Sequence, residues 1–161
     1  MTSLAGCMLA MSGVPKSVDL TDGNETSVEN LQLIVNRIKK NHSNVGDMLG
    51  AFQLRWNENV DQLEESYDVI LCADCLFFKE SSAHLVQAIY KILSPKGKAY
   101  IAAPNREGTF GFFKTLAEEL FNVEEFEDYS IEVTKAHESC LSEPGYNSDI
   151  HYPKLLVLTK L

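Results

Sequence analysis

Tyr67 to Phe78, YDVILCADCLFF, decides how the rest of the chain is read. Val69-Ile70-Leu71-Cys72 is an unbroken apolar run, too short for a stable helix and β-branched at its start. It predicts a parallel strand covered by helices on both faces. Asp74 follows almost at once. In open α/β sheets ligands bind beyond the carboxyl ends of the strands, so a carboxylate here is a candidate site residue. The plain alternative is a solvated loop aspartate. Cys72 and Cys75 have CxxC spacing, but no second CxxC or nearby His cluster completes a zinc site. A redox CxxC opens a helix just after a strand, and the spacing alone leaves that reading open.

Working outward, helix and strand signals alternate as in βαβ units. Residues 1–13 predict a helix with Leu4, Met8 and Met11 on one face, ended by Gly13 and Pro15. Lys16 to Thr21 predicts a short strand. The next helix carries Val28, Leu31, Val35 and Ile38, with Asp22 and Glu25 spaced like a capping box. Ala51 to Leu54 predicts a strand whose end reaches Trp56. After the central strand, Ser81 or Ser82 is expected to cap a helix bearing Leu85, Ile89, Ile92 and Leu93. Ser94 to Gly97 predicts a turn and Lys98 to Ala103 a strand stopped by Pro104. Thr109 is expected to cap a helix with Phe110, Phe113 and Ala117 inward. Val123 to Ile131 predicts a strand, Glu132 to Ile150 a loop, and Leu155 to Leu158 a final strand, antiparallel to the one before it.

The chain has 161 residues, enough for a single domain, 1–161, with a real core. It is 45% hydrophobic and 23% charged, ordinary for a globular protein. No apolar run approaches the ~18–20 residues of a membrane span. Nor does a basic segment precede an apolar one at the start, so no secretory signal is read. The net charge of −9 repels phosphate backbones, which argues against nucleic acid as a partner. The four scattered cysteines are expected to be reduced thiols, which suits the cytoplasm, with the nucleus as a second compartment.

Two residues outside the opening stretch are candidates. Asp22 ends the strand after the first helix. In nucleoside-binding α/β folds an acidic residue at that place accepts hydrogen bonds from both ribose hydroxyls. It suits a helix N-cap equally well. Trp56, the single tryptophan, has a ring that suits stacking on an adenine or packing in a core.

Five segments in order carry a resemblance: Leu20-Thr21-Asp22-Gly23-Asn24, Leu54-Arg55-Trp56, Cys72-Ala73-Asp74-Cys75-Leu76-Phe77, Pro95-Lys96-Gly97-Lys98-Ala99 and His151-Tyr152-Pro153. With them the chain resembles the calmodulin-lysine N-methyltransferases, within the class I, seven-strand S-adenosylmethionine-dependent methyltransferases. The opening Met1 to Gly6 resembles the family's helix after its glycine-rich loop. The resemblance implies a Rossmann-like α/β sheet, S-adenosylmethionine as cofactor, calmodulin as protein substrate and no metal. By position, Asp22 holds the ribose, Trp56 lies along the adenine, and Ala73 and Asp74 face the cofactor and the incoming lysine, with Asp74 as the catalytic residue. Related lysine methyltransferases carry D-x-x-Y after this strand; here Phe77 lacks the hydroxyl and is expected to line a lysine channel.

The resemblance also implies a departure. The family's strand order is 3-2-1-4-5-7-6, and its first strand and glycine-rich loop have no counterpart ahead of Met1. Strands lie ~4.8 Å apart, so the expected consequence is a gap of about 9–10 Å at the sheet's centre. On this reading the 161 residues alone are an incomplete and inactive methyltransferase domain. The alternatives are a non-catalytic interaction module or a methyltransferase of another protein. A different nucleotide-binding Rossmann protein is disfavoured because no G-x-G-x-x-G occurs.

Overall fold

A computed structural model describes residues 3–58 and 60–161. Met1 and Thr2, the first residues of the expected first helix, lie outside that range. The chain forms two compact units, Met1–Val60 and Asp61–Leu161.

In the first unit, helix α1 (Ser3–Ser12) precedes strand β1 (Val18–Asp22), helix α2 (Glu25–Asn41) and strand β2 (Leu49–Gln53). β1 and β2 pair in parallel, Val18 against Leu49 through Asp22 against Gln53, and α2 makes the crossover. Cys7, Ala10, Leu20, Val35, Val45 and Leu49 form its core. Of the apolar face expected for α1, Met11 packs against this core but the other two residues do not. Leu4 is 72% and Met8 59% exposed, while the small residues Cys7 and Ala10 are buried. Apolar residues surround this helix, so periodicity could not choose a face. The choice falls to close approach: a Cβ on Gly6 would collide with Leu20 Cδ2 of β1. The capping assignment also changes. Ser27 N donates to Asn24 Oδ1 at 3.0 Å, so Asn24 and not Asp22 caps α2.

The second unit contains β3 (Tyr67–Ala73), α3 (Lys79–Ile92), β4 (Leu93–Ala103), α4 (Thr109–Ala117), β5 (Phe121–Phe126), α5 (Ile131–Cys140), α6 (Ser148–His151) and β6 (Lys154–Lys160). Its sheet has the order β3-β4-β6-β5. β3 and β4 are parallel; β6 runs antiparallel to β5, as the end of the chain predicted, and also pairs antiparallel with β4. Leu85, Ile89 and Ile92 of α3 and Phe110, Phe113 and Ala117 of α4 are buried, along with Ile101, Phe121, Leu156 and Leu158 of the sheet.

Several local expectations are corrected. β3 is not covered on both faces: Val69 is 52% and Leu71 39% exposed, and β3 is an edge of its sheet. A four-residue apolar run cannot reveal whether both of its faces find partners. Helix α3 begins after Phe78, and Ser81 Oγ donates to Phe78 O at 2.9 Å from inside the first turn instead of capping it. Gly108, not Thr109, is the N-cap of α4. The stretch after Ser130 is not a loop throughout. Val133 N donates to Ser130 Oγ and α5 follows, although it buries no residue. Without a buried stripe, its helical signal is weak in sequence.

The turn expected at Ser94–Gly97 is an irregularity within β4. Two steps along β3, Tyr67 to Val69, match five along β4, Leu93 to Lys98. Gly97 sits where the chain rejoins the ladder. A Cβ there would lie 2.7 Å from Leu93 Cδ1 and 2.9 Å from the Asp68 carbonyl oxygen. The second of these is backbone and cannot swing aside. Gly97→Ala is therefore expected to destabilise the fold by about 1–3 kcal/mol, the range for overpacking. It would read as a lower urea midpoint at unchanged slope. An unchanged midpoint would mean that the irregular segment absorbs the methyl group freely.

Candidate functional site

Asp74 stands one residue past β3. Its amide donates to Ala102 O at 2.7 Å, continuing the ladder toward β4. Its φ of 57° is left-handed, a conformation that costs a non-glycine residue of order 1–3 kcal/mol and concentrates at functional sites. Ala73, at the end of β3, is exposed. Parallel pairing places the carboxyl end of β4 beside that of β3. The segment leaving β4, Pro104 to Gly108, therefore lies next to Asp74.

Arg106 in that segment meets Asp74: its Nη2 is 2.6 Å from Asp74 Oδ1. The contact is a close ion pair and not an aligned hydrogen bond. Asp74 Oδ1 and Arg106 Nη1 are both buried with no well-aligned hydrogen-bond partner among the described residues. The guanidinium carbon also lies 4.5 Å from the centroid of the Phe77 ring, a cation–π contact. Three groups thus converge: a carboxylate, a cation and an aromatic face.

The backbone that delivers Arg106 is strained. Arg106, Glu107 and Gly108 have φ of 41°, 55° and 82°. Asp149 of α6 holds this run. Its carbonyl accepts from Arg106 N at 2.7 Å, its Oδ2 from Glu107 N at 2.8 Å and its Oδ1 from Asn105 Nδ2 at 2.6 Å. Asn147 in turn caps α6, accepting from Asp149 N at 3.0 Å. Thr109 Oγ1 donates to Leu76 O at 2.8 Å and ties the start of α4 to the segment after β3. The three segments border a cleft of about 570 Å³ lined by Phe77, Phe78, Arg106, Thr109, Asp149 and Ile150 among others.

The candidates read from sequence fall in different units. Ala73, Asp74 and Phe77 share the carboxyl end of β3 in Asp61–Leu161, and Phe77 lines the cleft. Asp22 and Trp56 belong to Met1–Val60. There Asp22 Oδ1 accepts from Asn24 N at 2.8 Å, and Asp22 O accepts from Leu54 N at 3.0 Å. The turn holding the half-buried Trp56 therefore starts beside the end of β1, although Trp56 itself lies beyond β2 and does not end it. Sequence reasoning missed Arg106, Asp149 and Thr109 as site residues. The signal for Arg106 was available: the polar Asn105-Arg106-Glu107-Gly108 leaves the strand next to β3. Asp149 gave none, since it lies in the stretch read as loop.

Cys72 does not offer a reactive thiolate. A hydrogen bond with Cys75, then burial, holds the Cys72 thiol well above its ordinary value of 9.0. Among the described residues no group of three or more His, Cys, Asp or Glu is placed to hold a metal ion. No helix among them is long and apolar enough to cross a membrane.

A family model described as lysine methyltransferase matches residues 2–119. The chain belongs to the lysine methyltransferase family. It is 29% identical, over 97% of its length, to a calmodulin-lysine N-methyltransferase of Arabidopsis thaliana. It spans about half the length of that curated relative, 53%. Among solved structures it resembles a TehB-like SAM-dependent methyltransferase from Corynebacterium glutamicum, with TM-score 0.65, 18% identity, and 99% of this chain and 76% of that one covered. An rRNA methylase from Streptococcus thermophilus aligns with TM-score 0.62 at 13% identity, covering 99% of this chain and 81% of that one. At these identities the two structures show the shared α/β fold.

Asp149 makes this edge of the cleft sensitive to acid. The Glu107 amide and then the Asn105 side chain hold its carboxyl below the ordinary value of 3.8. A depressed carboxyl contributes stability that is full above its unfolded value and lost as the pH falls through the lower folded one. The clamp on residues 105–107 is thus expected to open below pH 3.8. Hydrogen exchange at the Glu107 amide would accelerate there, and Asp149→Ala would show the fast rate already at neutral pH. Equal protection in both proteins would remove Asp149 from the clamp.

Proposed function

We propose that this chain serves the S-adenosylmethionine-dependent methylation of a lysine side chain of calmodulin. One observation carries the reading. In a chain of the lysine methyltransferase family, Asp74 stands past the carboxyl end of β3 with a cation against its carboxylate and against the Phe77 ring. A carboxylate beside an aromatic face is the chemistry a lysine ammonium needs for binding.

The first unit fits the nucleoside part of the cofactor. Asp22 ends β1, one of its oxygens is held by the Asn24 amide, and the other has no hydrogen bond among the described residues. Vicinal ribose hydroxyls need such acceptors. Asp22 is in register with Gln53, three residues before Trp56, so carboxylate and indole share the carboxyl edge of one parallel pair. Bound S-adenosylmethionine would supply an electrophilic methyl group. Asp74 and Phe77 would orient the lysine amine, and the apolar walls of Phe77, Phe78 and Ile150 would exclude water from its stem. The calmodulin assignment is supported by the Arabidopsis relative alone. With a net charge of −9 this chain gains no electrostatic steering toward an acidic partner.

A second reading, a non-catalytic interaction module, is favoured by the exposed apolar face of β3 at Val69 and Leu71. The two separate in a chimera that extends these residues to the length of the Arabidopsis relative with that protein's own remaining sequence. Methyl transfer from labelled S-adenosylmethionine to calmodulin is expected. Asp22→Ala should weaken cofactor binding in calorimetry by ~1.5–3 kcal/mol, the range for hydrogen bonds to a charged group. Asp74→Asn should lower kcat more than cofactor affinity. Cofactor binding without transfer to calmodulin would leave the interaction module or another protein substrate.

A further inference from the structure

We propose that Arg106 is an internal gate: its guanidinium fills the cation site formed by Asp74 and Phe77, and an alkylammonium enters only when Arg106 withdraws. The inference rests on the lysine methyltransferase reading only for naming the incoming cation as a lysine side chain. The site and its occupant are described by their own geometry.

The guanidinium takes both positions that a bound ammonium would use. It is 2.6 Å from Asp74 Oδ1 and 4.5 Å from the Phe77 centroid. Carboxylate and aromatic face attract a lysine ammonium as well as a guanidinium. While Arg106 is in place, a second cation there meets like charge and a filled volume.

The contacts suit a displaceable group more than a permanent brace. An arginine that braces a carboxylate does so with paired, aligned N–H bonds. Here Nη1 is buried without a hydrogen-bond partner among the described residues, and the Oδ1 contact is misaligned. The loop, moreover, is secured without the side chain. Asp149 holds Arg106 and Glu107 through their backbone amides and Asn105 through its side-chain amide. The guanidinium can therefore leave Asp74 while the strained run at 106–108 stays clamped. It has somewhere to go, because the cleft of about 570 Å³ opens beside it and the acidic residues Glu80 and Glu107 are among those lining that cleft.

The left-handed φ values of Arg106 and Glu107 fit the same picture. Backbone in that region persists only when its surroundings hold it there. The Asp149 clamp aims Arg106 at Asp74, so weakening the clamp should weaken the gate.

The test uses n-butylammonium, a lysine side chain without its peptide, and needs neither cofactor nor methyl transfer. The full chain is titrated at constant ionic strength against sodium chloride as control, following the Asp74 amide and Phe77 ring resonances by NMR. Arg106→Gln is expected to bind n-butylammonium at least about tenfold more tightly than the unmodified chain, a change of ~1.4 kcal/mol. Adding Asp74→Asn to that variant should abolish the gain. Asp149→Ala, which keeps Arg106 but loosens its loop, should fall between the two. Equal affinity of the unmodified chain and Arg106→Gln would overturn the gate. So would weaker or absent binding by an Arg106→Gln protein whose spectrum remains folded, since Arg106 would then support Asp74. If Arg106→Gln does not fold, Asp149→Ala decides alone: tighter binding than the unmodified chain supports the gate, and unchanged binding overturns it. A working gate with no methylation of calmodulin by the chimera would leave this inference standing and remove the proposed function. The reverse outcome would do the opposite.

Discussion

The parallel ladder between β3 and β4 is the constraint on which the second unit depends. Running from Val69 against Lys98 to Ala73 against Ala102, it ends both strands at the same edge. The Asp74 amide adds one more bond to Ala102 O. Whatever leaves these strands must leave together, so Asp74-Cys75-Leu76-Phe77 and Asn105-Arg106-Glu107-Gly108 become neighbours although some thirty residues separate them. β6 then inserts antiparallel between β4 and β5, and the α6 turn just before β6 arrives at that same edge. An antiparallel strand begins where its neighbour ends, which brings Asp149 to the loop that β4 has just released.

The price of this arrangement is local strain. Asp74, Arg106 and Glu107 all adopt backbone conformations that side chains disfavour. Hydrogen bonds accepted by Asp149 and donated by Thr109 offset part of it. Among the described residues, the left-handed non-glycine positions lie at the edge of the cleft except for Glu65, ahead of β3, while the core built on Ile101, Phe113 and Leu156 is fully buried. A rigid sheet carrying a strained rim is a common way of holding reactive groups in positions that unstrained chain would not keep.

The first unit shows a different balance. Its parallel pair is held by a core of small and medium side chains, with Cys7, Ala10 and the bare backbone of Gly6 against β1. Close approach replaces bulk there, and the larger residues Leu4 and Met8 are left outside. The carboxyl edge of this pair carries Asp22, with the turn to Trp56 tied to it by the Leu54 amide.

The α/β class, the order of the major elements, the antiparallel ending and the family were legible in the sequence. These rest on local signals: apolar period, turn residues and short motifs such as the run from Cys72 to Phe77. Asp74 and Phe77 were legible for the same reason, since a residue just past a strand is placed by that strand. Features that need a partner distant in sequence became visible only in the fold. The exposure of β3, the buried face of α1, the irregular entry of β4 and the meeting of Arg106 with Asp74 all depend on which segments pack together. A helix such as α5 that buries nothing leaves little periodic trace, and Asp149, forty-two or more residues from everything it holds except its own cap, leaves none. Periodicity reports a segment's own faces; it carries no information about which other segment will cover them.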